Sequence, residues 1–133
     1  MAEPPYGIIW NHLKKGEVIP FLGAGASISS RPANAEWDAK RASFPPSGSE
    51  LALALAQDAA FPSEEERDRQ DLAKVASYYQ ESSDRPALLE RLREVFDKTY
   101  SAGAVHQFLA DIPTPLLIVT TNYDDLIEQA FTA

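Results

Sequence analysis

Two short runs of this chain carry residue types that could do chemistry. The first, Gly23-Ala24-Gly25-Ala26-Ser27, closes the stretch Val18–Ser27 and follows apolar Val18-Ile19-Pro20-Phe21-Leu22. The second, Asn122-Tyr123-Asp124-Asp125, follows apolar Leu116-Leu117-Ile118-Val119-Thr120-Thr121. A strand running into a small-residue turn is one way to bring backbone amides up to a phosphate. The glycines tolerate positive φ and leave no Cβ in the way. Ser27 is placed to cap a following helix or to donate to a ligand. An asparagine can orient a water, and a carboxylate can stabilise developing positive charge. Plainer readings stand beside these. The first run also suits an ordinary strand-to-loop turn, and Asn122 and Asp124 also suit the cap of a helix beginning at Asp124.

The glycine run excludes two common nucleotide loops. The dinucleotide fingerprint G-x-G-x-x-G needs a small residue where this chain has Ile28. The P-loop needs Gly-Lys-Ser/Thr, which Ile28-Ser29-Ser30 does not supply.

The elements around these runs read as alternating helix and strand. Tyr6–Lys15 sets Ile8, Ile9, His12 and Leu13 at helical spacing, with Gly16 to end the turn and His12 half-buried. Ser29–Ser47 is rich in Pro, Ser, Ala and Arg and reads as a long loop, anchored by Trp37 and Phe44. It follows the glycine run directly, so it is placed to fold over whatever that run binds. Its cations Arg31, Lys40 and Arg41 suit either a phosphate or plain solvation. Ser47 and Glu50 are spaced as a capping box for a helix over Leu51–Ala60. Residues 62–69 are a charged connection or a first helical turn. Asp71–Glu81 is a helix with Leu72, Val75, Ala76 and Tyr79 on one face. Ser83 or Asp84 caps the next helix, with Pro86 in its first turn. Its face is Leu88, Leu89, Leu92, Val95, Phe96 and Thr99, and Arg91 lies on its wet side. Ala104–Ala110 is a short helix ended by Ile112-Pro113-Thr114-Pro115. The β-branched run Leu116–Thr121 suits a strand buried on both faces.

Two buried strands with helices between them predict an α/β fold with a parallel sheet. Ligands of such sheets sit at the carboxyl ends of the strands. Gly23–Ser27 and Thr120–Asp124 both fall there. Two strands make an incomplete sheet, so residues 1–133 are expected to be the N-terminal part of a single larger domain. A small domain completed by oligomerisation is the alternative.

Composition narrows the function classes. The 133 residues carry 12 basic and 20 acidic side chains, a net charge of −8. No basic cluster offsets it, which argues against direct nucleic-acid binding. There is no cysteine, which removes disulfides and thiolate metal sites and fits a reducing, cytoplasmic setting. No metal site is expected. No run is long and apolar enough to span a bilayer, and Met1-Ala2-Glu3-Pro4-Pro5 has no signal-peptide pattern.

The pairing of Gly-Ala-Gly-Ala-Ser with Thr-Thr-Asn-Tyr-Asp, in this order and with helices between, resembles the sirtuin-like family. That family uses a Gly-Ala-Gly-x-Ser loop and a Thr-Gln-Asn-Ile-Asp type motif. The helix bearing His106-Gln107-Phe108-Leu109 also looks like the family's histidine-containing helix before the second strand. The resemblance implies a Rossmann-like parallel sheet flanked by helices, with NAD bound as substrate. It implies that Gly23, Ala24, Gly25, Ala26 and Ser27, with Thr120, Thr121, Asn122 and Asp124, line the NAD. Asn122 would hold the nicotinamide ribose or the attacking water, and Asp124 would contact the nicotinamide amide or order the loop.

Thr121 stands where deacylase members have glutamine. The deacylase segment Gly-Ile-Pro-Asp-Phe-Arg is replaced by Ile28-Ser29-Ser30-Arg31-Pro32. Both departures look more like the family's bacterial NAD hydrolases of anti-phage defence. The expected activity is cleavage of NAD to nicotinamide and ADP-ribose. An NAD-dependent protein deacylase, or a catalytically silent nucleotide-sensing or assembly module, are the alternatives. The family's catalytic histidine lies downstream of the asparagine motif, so the upstream His106 does not take that role. Partner modules or a homo-oligomer fit any of these activities.

Overall fold

Side-chain caps set several helix boundaries. The Ser47 hydroxyl accepts from the Glu50 amide at 3.3 Å, and Glu50 Oε2 accepts from the Ser47 amide at 2.8 Å. This is the capping box that the sequence predicts. Asp71 accepts from the Lys74 amide, and Asp84 from the Ala87 amide at 2.7 Å. Asp84, rather than Ser83, is therefore the cap.

The structure is a computed structural model that describes residues 2–29 and 31–133. Met1 and Ser30, part of the N-terminal run and of the segment after the glycines, lie outside the described residues. In chain order the elements are α1 (Tyr6–Lys14), β1 (Phe21–Leu22), α2 (Ala24–Ser27), α3 (Gly48–Asp58), α4 (Glu66–Arg69) and α5 (Leu72–Ser82). They continue with α6 (Arg85–Phe96), α7 (Ala104–Ala110), β2 (Val119–Thr120) and α8 (Leu126–Thr132). The chain divides into two compact units, Met1–Ser30 with Ala102–Ala133, and Arg31–Ser101.

In the first unit β1 and β2 pair in parallel, Phe21 with Val119 and Leu22 with Thr120. The strand runs alternate in exposure as a pleated chain must. Val18, Leu22, Leu116 and Ile118 pack into a core with Leu13, Leu109, Ile112 and Ile127. The other face is bare: Phe21 is 68% and Leu117 65% exposed, and Ile19 and Val119 are exposed beside them. The expectation of a second strand buried on both faces is thus corrected. Within this chain, helices cover one face of the pair.

The first helix also departs from expectation. Leu13 is its buried residue, while Ile8 and Ile9 are exposed. His12 is exposed rather than half-buried, with Nδ1 2.6 Å from Glu17 Oε2. Gly16 ends α1 at φ +70°, and a Cβ there would lie 3.1 Å from the Pro115 carbonyl oxygen. The Thr114 hydroxyl donates to the Lys14 carbonyl at 2.5 Å. The end of α1 is so tied to the segment entering β2.

In the second unit α3 packs against α5, and α5 against α6. Its core is Leu51, Ala52, Leu55, Ala56, Phe61, Val75, Leu88 and Val95. The alanines let the helices approach closely. The long loop carries Trp37 onto this core. Arg31 is neither solvated nor free for a phosphate. Its guanidinium makes a double hydrogen bond to Glu50 at 2.7 and 3.0 Å and lies over the Phe44 ring. Lys40 and Arg41 are exposed. Arg91, expected on a wet face, reaches Asp58 at 2.6 Å and Glu94 at 3.0 Å. Helix α3 ends with Ala60 at φ +50°.

No helix among the described residues is long and apolar enough to cross a membrane.

Candidate functional site

Parallel pairing brings the ends of β1 and β2 side by side. The Val119 amide donates to the Pro20 carbonyl at 2.9 Å, and the Thr121 amide to the Leu22 carbonyl at 3.1 Å. The two polar runs leave the sheet next to each other at its carboxyl edge, so residues nearly a hundred positions apart meet.

Ser27 is buried at the end of α2. Its hydroxyl donates to Asp124 Oδ2 at 2.6 Å and accepts from Asn122 Nδ2 at 3.0 Å. Asn122 Nδ2 also donates to the Gly23 carbonyl at 3.0 Å. The Asn122 backbone amide donates to Thr120 Oγ1 at 3.0 Å, which closes the turn after β2. Asp124 Oδ1 accepts from the Leu126 amide at 3.3 Å, at the start of α8.

These contacts orient each group. A carbonyl oxygen only accepts, so the Asn122 amide must turn its nitrogen toward Gly23. Its Oδ1 then has no hydrogen-bond partner among the described residues. Ser27 serves once as donor and once as acceptor. Asp124 keeps one oxygen for Ser27 and one for the helix.

Several expectations are corrected here. Ala24–Ser27 is a short helix begun by Gly23, not an open turn. Ser27 does not cap a following helix, because its hydroxyl serves Asp124. Asn122 caps no helix. Asp125 occupies the cap position of α8 without a side-chain capping bond, its Oδ1 accepting instead from Gln129 Nε2 at 2.7 Å, and Asp124 supplies the capping contact. Gly23 has φ −109°, and among the described residues Gly16 is the glycine at positive φ. The freedom that separates Gly23 and Gly25 from alanine is therefore not conformational. A Cβ at either would meet nothing within 4 Å. The chain's own packing does not demand glycine, and the space beside the backbone stays open to a ligand.

The remaining candidates divide. Ala24 and Thr121 are exposed beside the cluster, and Thr121 takes part through its backbone amide. Ala26 packs onto the first unit's core.

One buried polar residue of the first unit was given only a helical setting by its sequence. His106, 1% exposed, and Ser27 are the two buried polar side chains among the described residues. His106 Nδ1 accepts from the Gly103 amide at 2.9 Å. Burial pushes the imidazole below its ordinary range, and the Asp124 carboxylate opposes that push. Its sequence signal was its place three residues after Gly103, where a side chain can reach back to the cap amide.

No group of three or more His, Asp or Glu able to hold a metal forms among the described residues. In the second unit an open groove of about 500 Å³ is lined by Asp58, Tyr79, Ala87, Glu90, Arg91 and Glu94. Its one cation, Arg91, is occupied by Asp58 and Glu94.

No protein-family model, curated protein or solved structure matches the chain.

Proposed function

We propose that the Ser27–Asn122–Asp124 cluster is the centre of a Rossmann-like NAD site, and that its reaction is hydrolysis of NAD. The observation that carries this reading is the orientation of Asn122. Its nitrogen is held by Gly23 and Ser27, and its Oδ1 is left to accept from a water or a ribose hydroxyl. The open backbone at Gly23 and Gly25 suits close approach of a pyrophosphate. The sirtuin-like resemblance of the two motifs supplies the ligand class.

In the reaction the bond between nicotinamide and ribose C1′ breaks and nicotinamide leaves with the bonding pair. A water oxygen bonds to C1′ and its proton passes to solvent or to a base. The products are nicotinamide, ADP-ribose and a proton. Positive charge builds on the ribose in the transition state, where a fixed carboxylate such as Asp124 stabilises it. Asn122 Oδ1 accepts from the incoming water and aims it. Neither side chain is a strong base at neutral pH, so their contribution is positioning and charge.

The test is nicotinamide release from NAD by the chain and by Asn122→Ala, with and without an acyl-lysine peptide. Hydrolysis predicts peptide-independent release that falls about 100-fold in the variant. Release only with peptide would replace hydrolysis by deacylation. NAD-dependent thermal stabilisation without release from either protein would leave a binding module.

A further inference from the structure

We propose that the first unit carries a self-association surface, on which α8 of a second copy of this chain lies antiparallel across α1. Both halves of the contact are exposed rows of side chains. On α1, Tyr6, Trp10 and Lys14 follow at four-residue steps and share one face, and all three are exposed. The Phe108 ring of α7 stands 5.8 Å from that of Trp10, and Lys14 Nζ lies 5.5 Å over the Trp10 ring. This row runs from aromatic to cation. Asp125, Glu128 and Phe131 follow at three-residue steps from the cap of α8, and all three are exposed. That row runs from acid to aromatic. Laid antiparallel, the two rows set Phe131 against Trp10 and Phe108 and bring Glu128 to Lys14. Aromatic meets aromatic, acid meets base, and the opposed axes suit the helix dipoles. Rows of three- and four-residue steps are also a pair that interlocks between helices.

Charge complementarity names the second copy as the occupant. Lys14 and Lys15 supply all the lysine and arginine of the first unit. Neither has a carboxylate partner among the described residues, and the Glu128 carboxylate has no cation there. One chain thus exposes an unpaired basic row and an unpaired acidic row, each with an aromatic one turn away. An anionic membrane suits the basic row less, because the whole chain carries a charge of −8. Helix α7, which bears Phe108, packs against α8, so the two surfaces are neighbours. A two-fold axis then lets each copy give its α8 and receive the other's, and the contact closes as a dimer.

Sedimentation equilibrium of the whole chain, 14.6 kDa as a monomer, tests the contact. Wild type should show a monomer–dimer equilibrium. Lys14→Glu and Glu128→Lys should each raise the dimer dissociation constant roughly tenfold, because each reverses two symmetry-related pairs. The two exchanges together should restore it to within about threefold of wild type. A reversal that only harms its own helix is not rescued by the other, so failed rescue overturns the inference. Should Lys14→Glu fail to fold, Glu128→Lys and Phe131→Ala read the same contact from α8, and each must weaken the dimer. A wild-type chain that stays monomeric overturns the inference. So does self-association that neither reversal changes, which would give the contact to the bare sheet face around Phe21. In a Trp37→Phe background, Trp10 emission should move to the blue as protein concentration rises. A monomer whose Trp10 emission moves only when phosphatidylserine vesicles are added would give the row to a membrane and also overturn the inference.

Discussion

Asn122 and Ser27 show how few groups define this site. The Gly23 carbonyl fixes the amide of Asn122, and the Ser27 hydroxyl joins it to Asp124. Ser27→Ala removes the donor to a carboxylate and the acceptor for Asn122 together. Because Ser27 is buried, water replaces neither contact well. The first unit should lose about 1–3 kcal/mol. Urea unfolding followed by Trp10 fluorescence, in a Trp37→Phe background, measures this loss. Asn122→Ala should be milder for stability, since its side chain is only partly buried.

The residue types of this cluster were legible in the sequence because strand ends collect ligand-facing polar groups. Their mutual bonding was not, since it depends on sheet register. The burial of His106 was hidden for a different reason: it is a property of packing, and one histidine in a short helix does not announce it.

At the scale of elements, caps were the most readable feature. Ser47 with Glu50, and Asp84 with Pro86, are local signals that tertiary contacts did not override. Strand extents were less readable, because the apolar runs 18–22 and 116–121 each form only two strand residues. The end of α3 was missed for want of the usual residue. The Phe61 amide returns to the Ala56 carbonyl at 2.8 Å and the Ala60 amide to Gln57, which is a Schellman ending. Its left-handed position holds Ala60 instead of glycine. Ala60→Gly should relieve that backbone and stabilise the second unit by about 0.5–1 kcal/mol, read as a higher urea midpoint at unchanged slope.

Glu50 joins the capping box to the loop. Burial pushes its carboxyl up, but the Arg31 guanidinium and the amides of Ser47 and Trp37 outweigh that and hold it at about 2. The unfolded carboxyl titrates near 4.5. The contribution of this ion pair is therefore complete above about pH 4.5 and fades as pH falls toward 2. Glu50→Gln should lower stability near neutral pH and flatten the acid limb between these values.

For the molecule as a whole, each compact unit carries one tryptophan, Trp10 in the first and Trp37 in the second. Their titratable anchors differ. Burial holds the His106 imidazole below its ordinary 6.5 in the folded first unit. Its effect on stability is absent above that value. As pH falls below it, the unfolded chain takes up the proton first and the first unit weakens. Acidification monitored by Trp10 should show loss of stability beginning below about pH 6.5, while Trp37 holds until about 4.5. Coincident transitions in single-tryptophan variants would contradict this separation.

Ser27 and Asp124 lie 97 residues apart in sequence. The second unit, by contrast, draws its buried core from residues 51 to 95. At about 5–20 residues per second on the ribosome, Ser27 is incorporated roughly 5–20 s before Asp124. The apolar run that ends at Leu22 must wait as long for its strand partner. Contacts of such long separation are slow to form, so the apolar run beside Ser27 stays unpaired while the local core of the second unit can already close.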